Sequence, residues 1–254
     1  MAQIDFNVLK NGDVTVESEI KKVNEQSPTG NQLLYLTEPH VACCLLVDTS
    51  GSMSGNKIAE LNAALADFKK TVCEDELSAK RVDVCVIEFN TDVRVVSPFC
   101  PITQFQPPQL TAYGNTSMGK GIRYALEAVH EQVRKYHSVG VECYKPFILM
   151  ITDGYPTDDV SGLGELISDR ESQGRFGHLR FHAFGVQGTD MERLASLSHR
   201  VMAIKNNAFK SVFNWASQSM QCISHSRTTE SALGADPSDD MVPYTPGSKL
   251  PWND

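Results

Sequence analysis

What the chain lacks narrows the field first. No apolar run approaches the roughly 20 residues that cross a bilayer, and hydrophobic residues at 41% with charged ones at 21% are the make-up of a water-soluble domain. Lys and Arg nowhere cluster, and the net charge is -8. That balance opposes attraction to nucleic-acid phosphates or anionic lipid, so neither is an expected partner. Residues 1–10 carry Asp5 and have neither the basic start nor the apolar centre of a signal peptide, so a cytoplasmic location is expected. The seven cysteines contain no Cys-x-x-Cys pair, and Cys43, Cys44 and Cys85 sit inside apolar runs. This is the pattern of buried free thiols, not of a disulfide framework or a structural zinc site. There is no internal repeat.

What is present alternates. Ile4, Phe6 and Val8, then Asn11-Gly12, then Val14 and Val16 read as a β-hairpin, followed by a polar linker from Lys21 to Gln32; together they make an N-terminal arm over residues 1–38. Val41–Asp48, "VACCLLVD", is a continuous apolar run ending in an acid, as expected of a strand buried on both faces of a parallel sheet. Ile58, Leu61, Leu65, Phe68 and Val72 then recur at helical spacing, which predicts a helix over Asn56 to Cys73. "RVDVCVIEFN" and "VRVVSPF", joined by Asn90-Thr91-Asp92, read as an antiparallel pair at one edge. A proline-bearing loop leads to a helix from about Ser117 to Tyr136, and "KPFILMITDG" is another strand ending in an acid. A helix over Val160 to Gln173 has Thr157, Asp158 and Asp159 available as caps. "LRFHAFGV", a helix near Met191 to Ser198, "RVMAI" and a helix near Ser211 to Ile223 complete the series. The expected fold is therefore α/β: a doubly wound, mainly parallel, Rossmann-like sheet with helices on both faces, spanning residues 39–225. Residues 226–254, with many Ser, Pro, Gly and Asp, read as a mobile tail or an arm lying on the domain.

In such sheets ligands bind beyond the carboxyl ends of the strands, where strand order reverses. Three segments should meet there: the turn "DTSGSMSG" with Asp48, Ser50 and Ser52; Gly114-Asn115-Thr116-Ser117 at a helix start; and Thr152-Asp153-Gly154 at a strand end. Asp48, Ser50, Ser52, Thr116 and Asp153 offer oxygens only, which suits Mg²⁺ first, with Mn²⁺ or Ca²⁺ as alternatives, over zinc or copper. With only two carboxylates and three neutral hydroxyls around it, a bound divalent cation would keep some positive character and open coordination positions, to be filled by an acid from outside.

These motifs resemble the metal-ion-dependent adhesion site of von Willebrand factor A domains: Asp48-x-Ser50-x-Ser52, Thr116 in a Gly-x-Thr turn, and Asp153-Gly154, within a likeness spanning about Pro39 to Ile223. The resemblance implies that the five residues hold a metal directly or through water, that a Glu or Asp of a protein partner completes the coordination, and that the chain binds without catalysing. In texture it looks most like bacterial tellurium-resistance-associated members, which implies a stress-response assembly with kinase or phosphatase partners. Asn115 departs from the second glycine common at this turn, although Asn tolerates unusual backbone angles.

Each motif also has an ordinary reading, since Asp48 and Thr116 could be helix caps and Asp153-Gly154 a plain turn; together, in this order, they point to one site. Gly114-x4-Gly119-Lys120 imitates a phosphate loop, but Gly121 replaces the needed Ser or Thr. His178 and His182 lie in a predicted strand, where a spacing of four does not bring them to one helical face, and read as structural or surface histidines. The rival function is a metal-assisted hydrolase or phosphotransferase using Asp48 as nucleophile or base, and no His lies beside Asp48, Thr116 or Asp153 in sequence. A third reading makes the metal structural, with contacts through the hairpin. Asp236, Asp239 and Asp240 of the tail are candidates for an internal ligand plugging the site.

Overall fold

In the computed structural model, which describes residues 13–26, 33–172, 179–229 and 234–252, Val41–Asp48 forms strand β1 and all eight of its residues are buried. Ala42, Cys44 and Leu46 enter one hydrophobic core, and Val41, Cys43, Leu45 and Val47 enter the other. Alternate residues of a pleated strand face opposite ways, so an unbroken apolar run requires a layer on each side. Those layers are helices. The second core is closed by α2 (Asn56–Cys73) and α7 (Phe209–Ser224), which present Leu61, Leu65, Phe68, Phe213 and Met220. The first is closed by α4 (Met118–Ser138), α5 (Leu163–Ser172) and α6 (Met191–Leu197).

The remaining strands are β2 (Val82–Phe89), β3 (Val93–Pro101), β4 (Phe147–Thr152), β5 (Arg180–Gly185), β6 (Val201–Ile204) and β7 (Met241–Pro243), and the order across the seven-stranded sheet is β3-β2-β1-β4-β5-β6-β7. β1, β2, β4, β5 and β6 run parallel, while β3 and β7 pair antiparallel at the two edges. From β1 the chain builds outward to β3, then crosses by α4 to β4 on β1's other side. The reversal of winding therefore falls between β1 and β4, and their register, Val47 opposite Ile151, brings Asp48 beside the Thr152-Asp153 end. The α/β doubly wound fold read from the sequence is the fold observed. A short helix, α3 (Glu76–Arg81), capped by Asp75 through its bond from the Ser78 amide, was not anticipated; six residues are too few to show a period.

The N-terminal reading needs correcting, and of the two forms expected at the C-terminus the arm lying on the domain is the one observed. Ile4, Phe6, Val8 and Asn11-Gly12 lie outside the described residues, but Asp13–Gln26 is a helix, α1, instead of the second arm of a hairpin and the start of a linker. Val16 and Ile20 fit either period over so short a stretch; four apart on a helix, they share a face and bury it in the core that α4 closes. An i, i+4 pair from Glu17 to Lys21 supports the exposed side. At the other end, residues 234–252 form an ordered arm: β7 pairs with β6, Met241 and Tyr244 are buried, and the Trp215 indole donates to the Ala235 carbonyl at 2.8 Å. Three paired residues without an alternating pattern leave no strand signal in sequence. Among the described residues no helix is long and apolar enough to cross a membrane, and all seven cysteines are free.

Candidate metal centre

The Asp48 turn leaves β1 at the sheet's carboxyl edge and is fastened to its neighbours by backbone bonds. Thr49 N–H donates to Phe89 O at 2.9 Å, Tyr113 N–H to Thr49 O at 2.8 Å, and Gly51 N–H to Gly114 O at 3.0 Å. The Thr116 turn is held in the same way. Ser117 N–H donates to Asn90 O at 2.8 Å, Asn115 N–H donates to Thr91 Oγ1 at 3.0 Å, and the Ser117 hydroxyl donates to Thr91 O at 2.9 Å. Gly114 sits at φ 74°, and a Cβ there would lie 2.3 Å from Thr91 Oγ1, so this position admits only glycine. The left-handed residue of the turn is thus Gly114; Asn115 is not among the non-glycine residues of positive φ, and its tolerance is not called upon.

The five predicted residues come together. Ser50 Oγ and Ser52 Oγ are 3.0 Å apart, and Ser52 Oγ donates to Asp153 Oδ1 at 2.6 Å across a sequence separation of 101 residues. A Cβ on Gly154 would stand 3.0 Å from Thr116 Oγ1 and 3.4 Å from Asp48 Oδ2, which puts those two side chains against the Asp153-Gly154 bend and explains why it lacks a side chain. Asp48, Ser50, Thr116 and Asp153 are buried, and Ser52 faces solvent.

Asp48 is the electrostatic centre. It is fully buried, yet the bonds it accepts come from neutral donors: Ser50 N–H to Oδ1 at 2.7 Å and the Thr152 hydroxyl to Oδ2 at 2.5 Å. Burial pushes its carboxyl up to about 6; the bonds from Thr152 and Ser50 pull against this, and the neighbouring Asp153 charge adds to it. A buried carboxylate held only by neutral donors is stabilised by a cation, and the hydroxyls around it are hard-oxygen donors. Among the described residues no three His, Cys, Asp or Glu side chains gather as a metal cage. The donor set of two carboxylates and three hydroxyls therefore fits a hard divalent cation and offers nothing to a soft one.

Several residues that hold this geometry carried no sequence signal. Asn62 of α2 makes a two-point bond to the proline-bearing loop, donating to Leu110 O at 2.9 Å and accepting from Leu110 N–H at 2.8 Å. Buried Asn90 donates to Thr49 Oγ1 at 2.9 Å. Lys57 donates to Asp153 Oδ2 at 2.5 Å. Asp158, which the sequence offers beside Thr157 and Asp159 as a cap for the following helix, instead caps α4, accepting from Gly119 N–H at 2.9 Å and Lys120 N–H at 2.8 Å, while Thr157 Oγ1 accepts from Thr116 N–H at 3.2 Å. That following helix begins at Leu163, later than the Val160 expected from the sequence. The four amides at the start of α4 need acceptors, and the fold brings Asp158 to them.

The other candidates fall elsewhere. His178 lies outside the described residues, and His182 is a core residue of β5, stacked on Phe147 with ring centroids 5.7 Å apart. Asp240 of the C-terminal arm accepts from the Ser211 hydroxyl at 2.7 Å at the start of α7, and the arm runs on into the β7 edge instead of entering the Asp48 turn.

Comparison with known proteins agrees with this architecture. The chain shares the fold of the pilus adhesin SpaC from Lactobacillus rhamnosus GG (15% identity, TM-score 0.53, covering 76% of this chain and 31% of that one). It is also similar to proximal thread matrix protein 1 from the mussel byssus (16%, 0.50, 73% and 49%) and to the PilB minor pilin from Streptococcus sanguinis (13%, 0.50, 72% and 62%). At these identities the likeness is one of fold, and the chain spans about half the length of the byssus protein. No curated protein sequence matches. The model of the von Willebrand factor type A domain matches residues 44–221, well over half of the chain and the whole stretch that carries the three converging turns, so the chain belongs to that family.

Proposed function

We propose that this protein is a metal-dependent protein-interaction module, in which Asp48, Ser50, Ser52, Thr116 and Asp153 hold a divalent cation, Mg²⁺ first, that receives a Glu or Asp side chain of a partner. The observation that carries this reading is the meeting of five oxygen-bearing side chains from three separate loops around a buried carboxylate whose own bonds come from neutral donors. Bound there, the cation supplies a positive centre to which an outside carboxylate is drawn. Two exposed aromatic residues, Tyr113 and Tyr155, flank the Thr116 and Asp153 turns. Tyrosine presents apolar area and a hydroxyl at little entropic cost, which suits the rim of a protein contact. A bacterial stress-response assembly of the tellurium-resistance kind, with a kinase or phosphatase as partner, is the setting that the family resemblance suggests. An adhesin, a pilin and a matrix protein share the fold.

The test is calorimetric. The full chain should bind Mg²⁺ or Mn²⁺ with one site, and Asp48→Ala should abolish that heat and retention of any Mg²⁺-dependent partner while thermal unfolding stays cooperative. Metal binding unchanged by Asp48→Ala would end the proposal. Phosphoester turnover that depends on Asp48 would replace it with the metal-assisted hydrolase reading.

A further inference from the structure

Lys57 stands in the first turn of α2, where no acidic residue offsets it. The amino end of a helix carries partial positive charge, so a cation there is locally disfavoured and its placement asks for another partner. That partner is Asp153. The Lys57 ammonium donates to Asp153 Oδ2 at 2.5 Å and to Gln187 O at 3.3 Å, bridging the turn after β4 to the loop after β5. The Asp153 side chain is fully buried and that of Lys57 is 23% exposed, so the pair is poorly screened. The two oxygens of Asp153 are thereby divided: Oδ1 accepts from the Ser52 hydroxyl and Oδ2 from the ammonium.

Charge balance gives this arrangement a consequence. Asp48 and Asp153 together would neutralise a divalent cation, and a neutral site has no electrostatic demand for an acidic visitor. We propose that Lys57 is the residue that makes the site answer to an outside carboxylate: by cancelling the charge of Asp153 it lowers the affinity for the cation alone and leaves the loaded site with one net positive charge, which a single carboxylate neutralises. Cation and acidic ligand then bind cooperatively, and the coupling resides in a side chain that is itself no ligand. This inference rests on the cation-site reading above.

The experiment measures Mn²⁺ affinity of the full chain by electron paramagnetic resonance of free Mn²⁺, in chloride and in acetate of equal ionic strength, for the unaltered protein, Lys57→Met, Lys57→Gln and Lys57→Arg. Acetate should tighten Mn²⁺ binding by the unaltered protein and by Lys57→Arg. Lys57→Met should bind Mn²⁺ about tenfold more tightly in chloride, the order expected for removing one partly screened unit charge a few ångströms away, and should gain little from acetate. Lys57→Gln repeats the comparison with a polar side chain if the apolar one disturbs folding. Equal or weaker Mn²⁺ binding by both neutral variants, or an acetate effect as large as in the unaltered protein, overturns the role of Lys57. Absence of Mn²⁺ binding by the unaltered protein would instead overturn the site itself.

Discussion

Asp48 shows how a single side chain couples burial to ligand demand. An ionised carboxylate in a low-dielectric setting is costly, and its pKa rises until protonation relieves the cost; here it stands at about 6. The sign follows from linkage. Because the folded value lies above the ordinary one, the metal-free domain draws stability from this group below pH 4, and that contribution is lost as pH rises through 6, on the order of 2–3 kcal/mol in all. A cation reverses the balance by favouring the carboxylate. Mn²⁺ affinity should accordingly be flat above about pH 7 and fall by up to tenfold per pH unit below 6, measured by titration at fixed ionic strength; Asp48→Asn should show weak binding with little of this slope. An affinity that rises on acidification would contradict the assignment of Asp48 as a ligand.

The helices and loops around the site have separable duties. α2 and α7 pack against each other through Phe68 and Phe213, ring centroids 5.9 Å apart, and fix the face from which Asn62 and Lys57 reach the site. α1 packs on the opposite side of the sheet, far in duty from the cation. Ile20 is 2% exposed within that core, so Ile20→Ala should cost about 2–5 kcal/mol through lost burial and the cavity left behind. Denaturant unfolding would measure the loss, and Mn²⁺ affinity in native conditions should be unchanged. A cost below about 0.5 kcal/mol, the range of an exposed position, would mean that α1 is not part of the cooperative unit. At the amino ends of β1 and β2, His40 and Tyr136 both donate to buried Asp83, at 2.8 and 2.6 Å, tying α4 to the sheet at the end remote from the site.

For the molecule as a whole, the C-terminal arm tests how far the site depends on its surroundings. β7 covers the β6 edge, which otherwise presents unpaired backbone groups to another chain. The arm also supplies the Ala235 carbonyl to Trp215 and binds Glu192 through the Tyr244 hydroxyl at 2.5 Å. Between β4 and β7 lie β5 and β6, so β7 stands roughly 14 Å from β4 across the sheet at normal strand spacing. Deleting residues 226–254 should lower the melting temperature and promote self-association in size-exclusion chromatography, yet leave Mn²⁺ affinity as it was. A weakened affinity on deletion would reveal that an acid of the arm, Asp236, Asp239 or Asp240, reaches the site after all.

By itself the sequence determined the alternation of buried strands and amphipathic helices, because an apolar run or a helical stripe must be covered wherever it lies, and it singled out Asp48, Ser50, Ser52, Thr116 and Asp153 as one set of oxygen donors, because three turns at the carboxyl edge of such a sheet are brought together by its winding. Only the tertiary structure decided that Val16 and Ile20 sit on a helix, that Met241–Pro243 is a strand, that Asp158 caps α4, and that the ammonium of Lys57 lies on Asp153. Each of these depends on a partner tens of residues or more away. Local periodicity records which face of a segment is apolar, and a short segment fits two periods at once; the neighbour that breaks the tie, or that needs a donor or a counter-charge, exists only when the chain is folded.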